Sequence, residues 1–129
     1  MKKILLFIIF ISFISCSDNN DEVTIDDSLV GEWVLTDVIC FCGFENADFS
    51  THKLIFDSIV NKVTVVNDPD TYYFHISGNF RYSNQESIIN LEDSPNSYSY
   101  QLKGNVLQLT YIDDPMIADD EVTYRYIKK

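Results

Sequence analysis

From Leu29 onward, polar and apolar residues alternate along the chain in short segments. These segments are rich in Val, Ile, Tyr, Phe and Thr, and no stretch keeps a 3.6-residue apolar period over three helical turns. The alternation predicts an all-β domain in which each strand buries one face. We place strands at residues 31–39, 52–57, 62–66, 72–77, 80–83, 86–91, 97–103, 106–112 and 121–128.

Turn-forming residues separate these predicted strands. The stretches Ser77-Gly78-Asn79 and Gly104-Asn105 contain residues that accept the positive φ angles of tight hairpins, and Asp68-Pro69-Asp70 and Ser94-Pro95-Asn96 are turn formers. Eight or nine evenly spaced strands joined in sequence order predict an up-and-down antiparallel β-barrel of about eight strands, because closure removes the exposed edges of an open sheet. A β-sandwich is the alternative.

The N-terminus has a different character. Lys2 and Lys3 precede a nearly unbroken apolar run, Ile4 to Ile14, and Cys16 separates that run from the acidic stretch SDNNDEVTIDD. This is the layout of a secretory signal, since the run is shorter than the roughly 20 apolar residues that a membrane-spanning helix needs. The acidic stretch cannot bury enough surface to offset its ordering entropy, so we expect a flexible tether.

The residues Phe-Ile-Ser-Cys at 13–16 resemble the lipobox of bacterial lipoproteins. The resemblance implies cleavage before Cys16, followed by attachment of diacylglycerol to its sulfur and of a further acyl chain, such as palmitate, to its amino group. Two or more acyl chains give a stable membrane anchor. The expected organisation is a signal peptide over 1–15, a lipidated cysteine and acidic tether over 16–28, and one domain over 29–129.

This N-terminal layout implies an outer-membrane lipoprotein. The acidic run behind Cys16 is similar to the surface-export signal of Bacteroidetes lipoproteins, which would place the domain at the cell surface. A solvated linker with no export role is the alternative reading of the same residues.

A second resemblance concerns the domain. Gly31-Glu32-Trp33, at the start of the first predicted strand, resembles the G-x-W motif of lipocalins and lipocalin-like domains. The stretches SYSYQLKGNVLQLTYID and EVTYRYIKK look like the closing hairpins of small bacterial lipocalin-like lipoproteins. The resemblance implies a ligand-binding barrel in which Trp33 packs across the closed end beneath a basic residue of the last strand, for which Arg125 is the candidate.

Alternation assigns many aromatic residues to the barrel interior, with Tyr72 and Ile76 inward on the predicted strand 72–77. An inward tyrosine needs a hydrogen-bond partner, so the tyrosines indicate either a wet, amphipathic cavity or faces that in fact point outward. The first reading predicts a small, largely apolar or amphipathic ligand inside the barrel. The second predicts an interaction module that docks another envelope protein or a glycan through its outer surface or loops. The candidate interior site comprises Trp33, Phe56, Phe74, Tyr98, Tyr100, Tyr124 and Tyr126.

Charge and the histidines restrict the function further. The formal net charge of −11 becomes more negative when Lys2 and Lys3 leave with the signal, so nucleic acid is not an expected partner and membrane attachment depends on the acyl chains. His52 and His75, on different predicted strands, form no catalytic motif with Cys, Ser or a carboxylate. We therefore expect a monomeric binding protein without catalysis or a cofactor.

Cys40 and Cys42 lie just past the first predicted strand. In an oxidising compartment a disulfide is the first expectation, with buried thiols as the alternative. Two residues apart on a flat strand, their α-carbons would be about 6.6 Å apart, so the bond requires a bend. Zinc ranks last because a structural site needs four ligands and His52 and His75 are the available nitrogen donors.

The densest acidic stretch precedes the last predicted strand. Its spacing is not that of an EF-hand, so it predicts a solvated loop in preference to a calcium site. The acids are Asp113, Asp114, Asp119, Asp120 and Glu121.

Overall fold

A computed structural model describes residues 26–44, 46–112 and 121–129, and it forms a closed eight-stranded barrel. Each strand pairs antiparallel with its neighbour in sequence, and β1 pairs with β8 to close the barrel. The predicted up-and-down β-barrel is therefore confirmed. The strands are β1 (Gly31–Ile39), β2 (Lys53–Asp57), β3 (Lys62–Val66), β4 (Gly78–Gln85), β5 (Ile88–Leu91), β6 (Ser97–Lys103), β7 (Val106–Ile112) and β8 (Thr123–Lys128).

The predicted strand at 72–77 is wrong. This stretch belongs to the connection between β3 and β4, and Tyr72 and Ile76, expected inside, are 70% and 57% exposed. The cause is Asn67, whose side-chain oxygen accepts from the Tyr73 backbone N–H (2.9 Å) and whose amide donates to the His75 carbonyl (2.8 Å). A side chain that satisfies main-chain groups locally removes the need for a neighbouring strand.

The two ends of the barrel differ in their connections. β1 begins at the end that carries the tight turns after β2, β4 and β6, and we call this the tether end because the chain enters the barrel there. The opposite end, which we call the loop end, carries the longer connections 40–52, 67–77 and 92–96, and β7 ends and β8 begins there. Within the described ranges, no helix has the length and apolar character needed to cross a membrane.

The tether end is covered by a short 3-10 helix, Asp27–Leu29. The buried side chain of Asn84 bonds both backbone groups of Asp26, accepting from its N–H (3.2 Å) and donating to its carbonyl (3.3 Å). Tyr100 adds a bond from its hydroxyl to the Asp26 carboxylate (3.0 Å). Two inward polar side chains therefore hold Asp26, a residue of the predicted tether, against the barrel.

Candidate functional site: the barrel interior and the loop end

The aromatic residues predicted to line the interior do lie there. Tyr124 is half-buried and the other six are buried, among them Trp33 and Tyr126 at 0% exposure. A void large enough to admit water would expose the side chains around it, so these residues pack against each other and form a core. The buried members of the predicted set are Trp33, Phe56, Phe74, Tyr98, Tyr100 and Tyr126.

The inward tyrosines find their hydrogen-bond partners within the protein. Tyr98 donates to the Phe74 carbonyl (3.0 Å), and Tyr100 donates to Asp26. Burial raises the pKa of Tyr98 and of Tyr100 to about 12, so both hydroxyls stay protonated at neutral pH. The Tyr82 hydroxyl, by contrast, has no partner among the described residues, and burial raises its pKa to about 12.

His52 is the centre of a buried polar network. Asn67 donates to the His75 carbonyl, so its Oδ1 is the acceptor for Nδ1–H of His52 (2.6 Å). Nε2 of His52 then accepts from the Tyr126 hydroxyl (2.9 Å). Burial lowers the pKa of His52 to about 4, although its bond to Asn67 acts in the opposite direction. The imidazole is therefore neutral at pH 7, and both ring nitrogens are occupied.

The connection between β3 and β4, residues 67–77, closes the loop end, and we call it the plug segment. Phe74 adopts a positive φ of 63° and places its ring 4.5 Å from that of Tyr98 and 6.1 Å from that of Tyr124, between centroids. Burial also raises the pKa of Tyr124. Tyr73 and Phe74 are buried although neither lies in a strand. The plug segment thus covers the barrel interior at the end opposite Trp33.

Trp33 fills the tether end, but Arg125 is not its basic neighbour. The indole N–H donates to the Leu29 carbonyl (2.7 Å), and Nζ of Lys128 lies 5.2 Å from the ring centroid. Gly31 adopts a φ of 126°, which residues with a side chain rarely adopt, and this explains why glycine suits the first position of the G-x-W stretch. Arg125 was predicted from the wrong face of β8: its guanidinium lies outside, 3.8 Å from Asp37.

The structure pairs the sulfurs of Cys40 and Cys42 directly after β1. Their α-carbons are 5.2 Å apart, closer than on a flat strand, because the chain bends at these residues. Phe41, between them, is 92% exposed. Within the described residues there is no group of three or more His, Cys, Asp or Glu side chains placed to hold a metal ion.

Large apolar side chains are exposed mainly at the loop end. Six of the nine such residues in the described part of the chain lie on its loops or adjoining strand ends. The six are Ile39, Phe41, Phe44, Tyr72, Ile76 and Ile112. Single exposed apolar residues are ordinary, but a concentration of them at one end is typical of an interaction surface.

A cleft of about 500 Å³ opens at the same end, between the β1–β2 connection and the plug segment. Phe44, Asp48 and Thr51 line one side, and Asp68, Thr71 and Tyr73 line the other. The Phe44 ring contacts Tyr73 edge-on at 5.6 Å between centroids. Both walls are attached to the core, because Tyr73 also packs against His52 at 5.7 Å.

Two sets of predicted residues lie outside the described ranges. These are Cys16 and the acids of the last loop except Glu121, which is exposed. Comparison of the sequence with protein-family models and with curated proteins gives no match.

Sequence reasoning missed the buried polar residues His52 and Asn84 and the half-buried Asn67. Asn84 carried a signal, since it shares the inward face of β4 with Tyr82, where alternation calls for an apolar residue. His52 and Asn67 precede and follow strands, and nothing in their sequence context indicates that they meet.

Proposed function

We propose that this protein is a lipid-anchored, non-catalytic binding module of the outer membrane, with a lipocalin-like barrel that contacts its partner through the loop end. The observation that carries the proposal is the contrast between interior and loop end. The interior aromatic residues pack against each other and the hydroxyls of Tyr98 and Tyr100 bond protein groups, whereas Phe41 and Tyr72 are exposed on the loops. Exposed aromatic residues are enriched at protein interfaces.

The position of the anchor supports the use of this end. The lipobox at residues 13–16 implies acyl chains on Cys16, and the described chain enters the barrel at Asp26, on the tether end. The loop end is the end opposite that attachment point. A module tethered in this way leaves its loop end free of the attachment point.

A ligand inside the barrel, the other function predicted from the tyrosines, has less support. It would require the plug segment to leave the barrel, which breaks the bonds of Asn67 to Tyr73 and His75 and removes Phe74 from its contact with Tyr98. Native mass spectrometry of protein purified from its own host separates the two functions. We expect the mass of the lipidated chain without a bound small molecule, and a retained apolar molecule would contradict the proposal.

Site-specific photo-cross-linking tests the loop end directly. Phe41 and Ile59 are both 92% exposed, but Phe41 lies at the loop end and Ile59 lies in the tight turn after β2, at the tether end. A photoreactive phenylalanine analogue at position 41 should form cross-links to another envelope component in intact cells, and the same analogue at position 59 should form none. Cross-links at position 59 with none at 41 would refute the assignment.

Anchoring and surface exposure have their own tests. The mature protein should carry the mass of acyl chains on Cys16, and Cys16→Ser should release it from the membrane. Protease added to intact cells should degrade the anchored protein if the acidic run acts as an export signal. Full protection would place the domain on the periplasmic side and would contradict surface exposure.

A further inference from the structure

The cleft at the loop end has the size of a ligand site. Its volume of about 500 Å³ falls within the range of roughly 300–1,000 Å³ typical of binding clefts. Its lining combines the half-exposed Phe44 with two carboxylates, Asp48 and Asp68, and two threonine hydroxyls. Such a lining offers an aromatic contact together with negative charge.

Local bonds hold the two carboxylates in position. Oδ1 of Asp48 accepts from the backbone N–H of Ser50 (2.9 Å) and from its hydroxyl (2.6 Å). These bonds lower the pKa of Asp48, so it is ionised at neutral pH. Oδ1 of Asp68 accepts from the Asp70 N–H (3.0 Å). Both carboxylates are therefore placed before any partner arrives, which reduces the entropy lost on binding.

The connections at the loop end lack basic side chains. Within the described ranges, the segments 40–44, 46–52, 67–77 and 92–96 contain Asp and Glu but no Lys or Arg. Four of the five described lysines lie instead at the tether end, together with acids such as Asp57 and Glu86: Lys62, Lys103, Lys128 and Lys129. A partner that approaches the loop end meets a negative potential that attracts cations and repels anions.

We infer that the cleft receives a lysine or arginine side chain from a basic segment of a partner protein, an inference that rests on the proposed function. The carboxylates of Asp48 and Asp68 pair with the cationic group, and the Phe44 ring contacts it or its aliphatic stem. The exposed side chains of Phe41 and Tyr72, on the same two connections as the cleft, supply apolar area for the residues that flank that side chain.

A protein segment fits these features better than a small cation does. The described residues provide no group of three or more metal-ligating side chains, so a resident metal ion would lack ligands in the cleft. A small polyamine would match the carboxylates but would leave the exposed aromatic residues of both loops without a partner.

Binding of a labelled hexa-arginine peptide, measured by fluorescence anisotropy, tests the inference. The full lipidated protein is used in non-ionic detergent at 0.15 M salt. Asp48→Asn/Asp68→Asn keeps the Oδ1 acceptors that order the loops but removes both charges. The matched control is Asp57→Asn/Glu86→Gln, which removes two exposed charges at the tether end. We expect the cleft double variant to weaken binding about tenfold and the control by less than about twofold.

A second pair of variants keeps the net charge constant. Phe44→Ser should weaken binding of the peptide about threefold, and Ile59→Ser at the tether end should leave it unchanged. Equal weakening by the two charge variants would show that net charge alone attracts the peptide and would overturn the inference. An unchanged affinity in the cleft double variant would overturn it as well.

The outcome for this cleft is separable from the proposed function. Cross-links at position 41 that persist unchanged in Asp48→Asn/Asp68→Asn, and at high salt, would support binding through the loop end. They would also indicate a neutral partner, such as a glycan, and would overturn the inference that the partner is a basic segment.

Discussion

The buried His52 network makes the stability of the barrel depend on pH in a defined direction. The pKa of His52 falls from 6.5 to about 4 on folding because burial disfavours the imidazolium. Between these two pH values the unfolded chain binds a proton at this position and the folded chain does not. The free energy of unfolding therefore falls as the pH is lowered from about 6.5 to about 4.

The size of this change in stability follows from the pKa difference of His52 between the folded and unfolded chain. At about 1.4 kcal/mol per pKa unit, the free energy of unfolding falls by about 3 kcal/mol in total, and about 2 kcal/mol of this is lost between pH 7 and pH 5. The many carboxylates also titrate at low pH, so a single pH profile would mix their contributions with that of His52. A comparison between variants cancels them.

Urea unfolding measures the difference in pH dependence between the parent protein and a His52 variant. It is followed by the fluorescence of Trp33, in a Cys16→Ser background without lipid. The parent protein should lose about 2 kcal/mol more stability between pH 7 and pH 5 than His52→Gln loses. His75→Gln leaves the bonds of His52 in place and should behave like the parent. An equal loss in His52→Gln and the parent would refute the reasoning.

Three further predictions concern stability. Trp33→Phe removes the indole bond to a backbone carbonyl and weakens packing at the tether end, so it should cost about 1–3 kcal/mol in urea unfolding followed by circular dichroism. Asn84→Ala removes both bonds to the Asp26 backbone and should lower the free energy of unfolding by about 1–3 kcal/mol. It should also raise the rate of amide hydrogen exchange at the start of the 3-10 helix, and an unchanged rate would contradict the role of Asn84. Alkylation and intact-mass analysis should find no free thiol at Cys40 and Cys42 before reduction, and two alkylated thiols in the unreduced protein would exclude the disulfide. Replacing both cysteines by Ser should lower the free energy of unfolding by less than about 2 kcal/mol, because the loop that the disulfide closes is short.

Alternation predicted the strand positions correctly where one face of a strand is buried and the other is exposed to solvent. The predicted bounds of β1, β3, β6 and β7 match those of the structure, because each of these strands shows the period of two over at least five residues. In the plug segment, alternation predicted a strand that the structure lacks, and the reason is local. Tyr72, Phe74 and Ile76 alternate like a strand, but Asn67 satisfies the backbone groups there and turns the chain.

The site was less accessible to sequence reasoning than the fold. Alternation placed the aromatic residues inside correctly, but it could not decide whether their hydroxyls face water, a ligand or the protein. That decision depends on pairs far apart in sequence, such as Tyr126 with His52 and Tyr100 with Asp26. The error at Arg125 has another cause, since the alternation that places Tyr124 and Tyr126 inside already places Arg125 outside. On the inward face of β8, the register with β1 pairs Lys128 with Trp33.

The filled interior has a physical cause in the choice of side chains. An eight-stranded barrel has an interior just wide enough either to hold one small ligand or to be filled by side chains, so strand number alone does not decide between them. Here Trp33 occupies the tether end, Tyr126 and His52 bond to each other in the interior, and Phe74 of the plug segment packs between Tyr98 and Tyr124 at the loop end. With aromatic rings at each level, the binding function proposed above has to use the outside of the barrel. The longer connections in the described part of the chain lie at the loop end, and loops tolerate changes of sequence that strands do not, so this end is where a specific binding surface can form.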